Sequence, residues 1–409
     1  MDARRILLVI FDGLGDRPLT ELGHKTPLEA ARKPNLDWFA ANGVNGLVDP
    51  IAPGVPAGSD TSHLALFGYD PHEVYTGRGP FEAAGVGIDL EPGDIAFRGN
   101  FATVDEKMRI TDRRAGRIHE GTAKLANALD GMKLGRVKVM FRAGTEHRAA
   151  LVLRGRGLSP KVTDTDPHAI GEEIRKAEAL EPAAKATAKA VNAFTKQAHE
   201  ILKDNPVNRG RSARGEPPAN AIVLRGAGVY PDLPPIPERL HVKAAGIAGV
   251  ALIRGMFRAC GIEVLDVKGA TGGLDTDMIA KADAALAALE SHDLIVLHVK
   301  APDLCGHDGQ ASEKIHVIER LDAMMGHLKP KLPADVVVAM TADHSTPVAA
   351  KDHSGDPVPL TLFGEGVRMD AVVAFDERSA AQGALGRLRG QDVMNLLVDL
   401  AGRAEKFGA

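Results

Sequence analysis

The sequence predicts an α/β protein: a doubly wound, mainly parallel sheet with helices on both faces, interrupted by a smaller inserted α+β domain. Two observations predict it. Short apolar runs alternate with amphipathic helical patterns toward both ends of the chain, which is how buried parallel strands and their crossover helices read. Between them lies a glycine-, arginine- and charge-rich middle whose strand candidates are short.

Ile6–Phe11 is a continuous apolar run closed by Asp12, as expected of a strand covered on both faces. Thr26, Pro27 and Glu29 make a capping box with proline at the first helical position, so a helix starts there. From about Thr76 the texture changes, with strand candidates at Val137–Phe141, Ala149–Leu153 and Ala221–Leu224 and a long Ala/Lys/Glu helix over Glu181–Lys203. Prolines at 231, 234, 235 and 237 then make a stiff linker that cannot feed a ladder. Beyond it, Lys243–Ala259, Asp275–Glu290 and Ala311–Leu328 read as helices, the last presenting Ile318, Leu321, Met325 and Leu328 on one face. Strands are expected at Glu263–Val267, Leu294–Val299, Val336–Met340 and Pro359–Phe363. The inserted domain is therefore placed at 76–238, and residues 1–75 and 239–409 form the parallel-sheet domain.

The 409 residues fit two domains, and a 44% hydrophobic and 25% charged composition is ordinary for a soluble protein. A net charge of −4 with dispersed Lys and Arg excludes a basic arm for nucleic acid. Cys260 and Cys305 build neither a disulfide framework nor a thiolate metal site; they read as small buried hydrophobes and suit a reducing cytoplasm. Ile6–Phe11 is too short for a signal segment, and Ala244–Phe257 is interrupted by Arg254 and glycines, so no membrane span is expected.

Asp343 and His344 follow one predicted strand, and Asp303 and His307 follow another. A carboxylate and an imidazole at a strand's carboxyl end reach one ion together, and O/N donors suit Mn²⁺ or Zn²⁺. His353 can complete the second pair, and Asp12 closes the first strand. Ser59 follows Gly58 at an expected helix N-terminus, where backbone N–H groups favour an oxyanion or phosphate; a plain capping serine is the alternative there. Thr61 and Ser62 are weaker nucleophile candidates, and His63 reads as structural. In the middle segment, Arg113, Arg114, Arg117, Arg148 and Arg225, together with Lys243, are the candidates for holding an anionic substrate.

The motifs resemble the archaeal-type cofactor-independent phosphoglycerate mutases of the alkaline phosphatase superfamily. The strings that carry the resemblance are DGLGDRP (Asp12–Pro18), PAGSDT (Pro56–Thr61), FGYDP (Phe67–Pro71) and GRGPFE (Gly77–Glu82). To these are added DRRAGR (Asp112–Arg117), RGAG (Arg225–Gly228), HSTP (His344–Pro347) and HSGDPVP (His353–Pro359). The resemblance implies an alkaline-phosphatase-like core and an inserted substrate-binding domain that serves as a lid. It implies interconversion of 3-phosphoglycerate and 2-phosphoglycerate through a phosphoserine on Ser59, without bisphosphoglycerate. One divalent ion would be held by Asp303, His307 and His353, the other by Asp12, Ser59, Asp343 and His344. Manganese is the first expectation; zinc, cobalt and magnesium also suit such donors. Asp112 is the expected acid/base. The alternative activity is phosphomonoester hydrolysis, or phosphoryl transfer to another small metabolite, at the same site.

Overall fold

The computed structural model describes residues 3–408. Its strands run β1 (Arg5–Phe11), β2 (Val44–Asp49), β3 (Ile95–Val104), β4 (Ile110–Asp112), β5 (Lys133–Leu134), β6 (Val137–Ala143), β7 (Arg148–Arg154) and β8 (Ala221–Val229). There follow β9 (Ala244–Ile247), β10 (Glu263–Val264), β11 (Leu294–Val299), β12 (Val336–Thr341), β13 (Val358–Phe363) and β14 (Gly386–Arg389). Tyr75–Leu233 is one compact unit, and the described residues on either side of it together make the other.

The flanking unit is built on an eight-stranded sheet in the order β10-β9-β11-β1-β12-β13-β2-β14. All neighbours pair in parallel except at β13, which runs against both β12 and β2. β11 and β12 are wholly buried, and β1 nearly so, because aliphatic residues on both faces meet helices on both sides. On one side Ala311–Leu328 packs against Met278–Ala288, Pro34–Ala41 and Ala301–Asp308. On the other, Ser59–Leu66 packs against Ala251–Ala259 and Gly390–Leu400. The box at Thr26 forms as expected, with reciprocal bonds between Thr26 and Glu29. Among the described residues no helix is long and apolar enough to cross a membrane.

Within this sheet β9, β2 and β10 depart from the sequence reading. The helical pattern over Lys243–Ala259 divides into β9 and a helix at Ala251–Ala259. The cause is packing: a Cβ at Gly246 would lie 2.4 Å from the Phe257 ring, so the strand carries small residues where the helix lies across it. β2 was not expected because Asn45 and Gly46 break its apolar run. Asn45 is nonetheless satisfied by the Ala40 carbonyl and Asp370, and Gly46 lets β14 approach. β10 is shorter than the Glu263–Val267 run, since only two residues find a partner at that edge.

The second unit has a sheet ordered β4-β3-β7-β6-β5, with β8 also paired to β3. β3 escaped the sequence reading because Arg98, Gly99 and Asn100 interrupt it. Its Ile95, Phe97 and Phe101 nevertheless belong to the unit's main core. Lys185–Lys203 closes that core with Val191, Phe194, Ala198 and Leu202, and Phe194 lies 5.6 Å from Phe141 between ring centroids. Phe194→Ala should lower stability by about 3–5 kcal/mol, measured by urea denaturation.

Candidate active site

Lateral register brings the acidic groups together. β11, β1 and β12 are neighbours, with Phe11 level with Val299 and Ile10 level with Thr341. The chain therefore leaves the sheet at Asp12, Lys300 and Asp343 along one edge, as open α/β sheets place their ligands. After β11 a helix begins at Ala301, which puts Asp303 and His307 on one face one turn apart. Asp12 and Asp343 are fully buried. Asp343 Oδ1 accepts the backbone N–H groups of Gly13 and His344, each at 3.0 Å, while its Oδ2 has no hydrogen-bond partner.

Ser59 opens the helix Ser59–Leu66, capped by Gly58, and its Oγ lies 3.1 Å from His344 Nε2. The tautomers follow from partners that only accept. His353 Nδ1 donates to the Ala57 carbonyl at 2.7 Å, and His307 Nδ1 to the Lys351 carbonyl at 3.0 Å. Thr346 donates to Asp303 Oδ1 at 2.7 Å, so His344 Nδ1 donates to the Thr346 hydroxyl at 3.1 Å. All three imidazoles thus present an Nε2 lone pair to the site, the arrangement in which backbone and hydroxyl partners orient metal-binding histidines.

Divalent ions fit these donors. The lone pairs of His307 and His353 face each other at 3.2 Å, and Asp303 Oδ1 lies 3.5 and 3.4 Å from them. Such a convergence is repulsive without a cation. Ligands held about 2.1 Å from one ion stand roughly 3–3.5 Å from each other, which matches this spacing. The buried, unpartnered Asp343 Oδ2 is 3.3 Å from His344 Nε2, and Asp12 Oδ1 is 3.6 Å from the same nitrogen. His344 also stands with Asp303 and His353 within reach of one ion, so it lies where the two donor sets meet.

Burial and neighbouring charges set the ionisation of the cluster. Burial pushes the Asp12 carboxyl upward, but Lys300 and His298 outweigh it and hold it below the usual range. Asp303 behaves likewise: burial is overcome by Lys300, then by His353 and His344. Burial lowers His63, His298 and His344, leaving neutral rings. His353 is raised, because Asp303 overcomes the burial that would lower it.

Several residues here escaped the sequence reading. His298 donates to Asp12 Oδ2 at 2.8 Å, and its signal was a lone polar residue inside a wholly apolar strand. Lys300 Nζ lies 2.8 Å from Asp12 Oδ1 and 2.6 Å from Asp303 Oδ2. His63 donates to the Ser59 carbonyl at 2.6 Å and stands 3.5 Å from Asp343 Oδ2, so the structural reading of it understated its place.

The inserted unit carries a basic cluster of its own. Arg98 on β3 lies directly opposite Arg225 on β8, and Asn100 directly opposite Arg148 on β7. Like charges facing across a ladder are destabilising, and burial adds to the cost. Burial pushes the Arg98 guanidinium down to about 9, with Arg78, Arg225 and Arg148 adding to it against Glu82. His147 falls to about 4 through burial and then Arg148, Arg114, Arg98 and Arg117. Arg98 Nε, Asn100 Oδ1 and His147 Nδ1 are buried without hydrogen-bond partners. Arg98, Asn100 and His147 thus lie with the expected Arg114, Arg117, Arg148 and Arg225 in one basic cluster.

Arg113 is engaged by the buried Asp166 at 2.8 Å. Both oxygens of Asp112 accept backbone N–H groups, from Arg114 at 2.7 Å and Gly116 at 3.0 Å, so it also closes the turn that carries Arg114 and Arg117. Lys243 requires correction. It is exposed at the N-terminal end of β9, with its backbone N–H on Asp293. That is the opposite end of the parallel strands from the metal ligands, and it lies outside the inserted unit.

Comparisons with known proteins give the family and the fold. A family model described as 2,3-bisphosphoglycerate-independent phosphoglycerate mutase matches residues 40–208. A relative named 2,3-bisphosphoglycerate-independent phosphoglycerate mutase 1, from Methanothermobacter thermautotrophicus, is 51% identical over 98% of this chain and 99% of its own. One from Methanopyrus kandleri, named 2,3-bisphosphoglycerate-independent phosphoglycerate mutase, is 49% identical over 99% and 98%. A solved structure of a Pyrococcus horikoshii protein superposes with a TM-score of 0.88 at 41% identity, covering 100% of both chains. The cofactor-independent phosphoglycerate mutase of Thermoplasma acidophilum gives 0.73 at 39% identity over 98% and 100%.

The packing around Gly13 supplies a test. Gly13 has φ +66°, and a Cβ there would lie 2.5 Å from Asp303 Cβ and 2.7 Å from Thr346 Oγ1. Gly23 has φ +65° with nothing within 4 Å. Gly13→Ala should lose bound metal, read by elemental analysis of the purified protein, whereas Gly23→Ala should cost only about 1 kcal/mol of stability.

Proposed function

This chain belongs to the family of 2,3-bisphosphoglycerate-independent phosphoglycerate mutases, and from that premise we propose that Ser59 is the phosphoryl carrier in the interconversion of 3-phosphoglycerate and 2-phosphoglycerate. The enzyme is an isomerase. The observation that carries the residue assignment is the convergence of Ser59 Oγ, His344 Nε2, Asp12 and Asp343 in one buried cluster.

Asp303, His307 and His353 would hold one divalent ion, and Asp12, Ser59, Asp343 and His344 the other. We take manganese as the first choice for this O/N set. Bound there, such ions lower the pKa of the serine hydroxyl and offset charge on the transferring phosphoryl group. The chain does the rest. Gly58 starts the helix so that Ser59 lies in its first turn, where the positive end of the helix favours the phosphate dianion. Ser59 Oγ gives up its proton and attacks phosphorus as the bond to the substrate oxygen breaks, and the departing glycerate alkoxide takes up one proton in place of the one the serine released. The other glycerate hydroxyl then loses its proton and recovers the phosphoryl group from Ser59.

The arginines of the inserted unit suit the anionic ends of glycerate and phosphoglycerate. Arg98 and Arg225 supply charge, and Asn100 supplies an acceptor able to receive a glycerate hydroxyl. Retention of glycerate between the two transfers separates a mutase from a phosphatase, because water would otherwise hydrolyse the phosphoserine.

Ser59→Ala should abolish formation of 2-phosphoglycerate from 3-phosphoglycerate without change in melting temperature; near-normal turnover would overturn the phosphoserine route. Chelation should inactivate the enzyme and Mn²⁺ restore it. Arg98→Met should lower kcat/KM by roughly ten- to hundredfold, as loss of a charge-assisted hydrogen bond implies, with metal content unchanged. Free phosphate appearing in place of 2-phosphoglycerate in the parent protein would instead favour a phosphomonoesterase.

A further inference from the structure

The ammonium of Lys300 lies between the two donor sets and treats them unequally. On Asp303 it takes Oδ2 at 2.6 Å, leaving Oδ1 to face His307 and His353. On Asp12 it takes Oδ1 at 2.8 Å, the oxygen that lies 3.6 Å from His344 Nε2. The other Asp12 oxygen is already engaged by His298 at 2.8 Å. The Asp303 set is therefore assembled with Lys300 in place. The Asp12 set has its inward oxygen occupied by a protein cation.

We propose that Lys300 is a positioning residue that acts as a built-in counter-ion of the centre, joining the two donor sets and making their metal affinities unequal. The Asp303, His307 and His353 ion meets no protein cation on Asp303 Oδ1, which accepts only from the neutral Thr346 hydroxyl at 2.7 Å and can share it. The ion of the Asp12, Asp343 and His344 set binds only by drawing Asp12 Oδ1 away from, or into sharing with, the ammonium, and so binds more weakly. Without metal, Lys300 also keeps the buried Asp12 and Asp303 carboxylates from facing each other uncompensated. Removing one partner of such a buried pair is strongly destabilising. The inference rests on the reading of these residues as metal ligands.

The test is Mn²⁺ titration of the metal-stripped enzyme by calorimetry, with thermal melting alongside. The parent should show two classes of site. Lys300→Met should bind the weaker ion about tenfold or more tightly, because a charge-assisted hydrogen bond no longer competes for Asp12. The same variant should melt lower than the parent when metal-free and recover most of the difference at saturating Mn²⁺. Lys300→Arg, which keeps the charge, should retain two unequal classes. If Lys300→Met does not fold without metal, it is prepared in Mn²⁺ and its ions are withdrawn by graded chelator. Release of both ions together, against stepwise release from the parent, then supports the proposal, and stepwise release from both overturns it. Weaker-class affinity that is unchanged or reduced in Lys300→Met overturns this inference alone. A parent protein that takes up no Mn²⁺ overturns the metal-centre reading as well.

Discussion

The structure depends on the lateral alignment of β11, β1 and β12. Three strands, apolar but for Arg5, His298 and Thr341 and buried on both faces, can pair in only a narrow range of registers without moving aliphatic side chains out of contact. The alignment that satisfies them ends all three at the same level. The first polar residues beyond that level, Asp12, Lys300 and Asp343, then have no choice but to meet. The same burial that stabilises the strands removes water from the carboxylates at their ends, which creates the need for counter-charge there.

How that need is met explains much of the site. Each histidine hydrogen-bonds through one nitrogen to a group that orients it, leaving the second for the centre: His353 through Ala57, His307 through Lys351 and His344 through Thr346. Ala57 belongs to the loop that delivers Ser59, so the bond from His353 ties the position of the proposed nucleophile to that of a proposed ligand. Lys300 and His298 together hold Asp12 ionised, which is the state a ligand must have.

The inserted unit solves a different problem with the same physics. Its β3 places Arg98 and Asn100 on the face away from the core that Phe97 and Phe101 fill. Neighbouring strands then bring Arg225 and Arg148 opposite them. A fold selected for stability alone would not align cations across a ladder. That cost fits the anion-binding role proposed for the cluster, in which Arg98 Nε and His147 Nδ1 make no hydrogen bond but lie 3.7 and 3.6 Å from the Glu82 and Glu146 carboxylates, and Asn100 Oδ1 is a buried acceptor without a hydrogen-bond partner.

Local pattern made legible the fold class, most flanking strands, the Thr26 cap and the acid and imidazole candidates Asp12, Asp303, His307, Asp343 and His344, because each is written in a short window: an apolar run, a box, or an acid or imidazole just past a strand. The assignment of Ser59 and of the two ligand sets came from the resemblance. Local pattern did not determine β2, β3 or β9, whose glycines and polar residues make sense only against partners such as Phe257 and β8. It put Lys243 with the arginines because charge is visible in a sequence, whereas the end of the sheet on which a residue sits is not. Only tertiary structure decided that Lys300 and His298 stand beside Asp12, since both come from β11 and its end, some 290 residues further along the chain. Strand pairing at that sequence separation is set by the packing of whole layers, and no local window contains it.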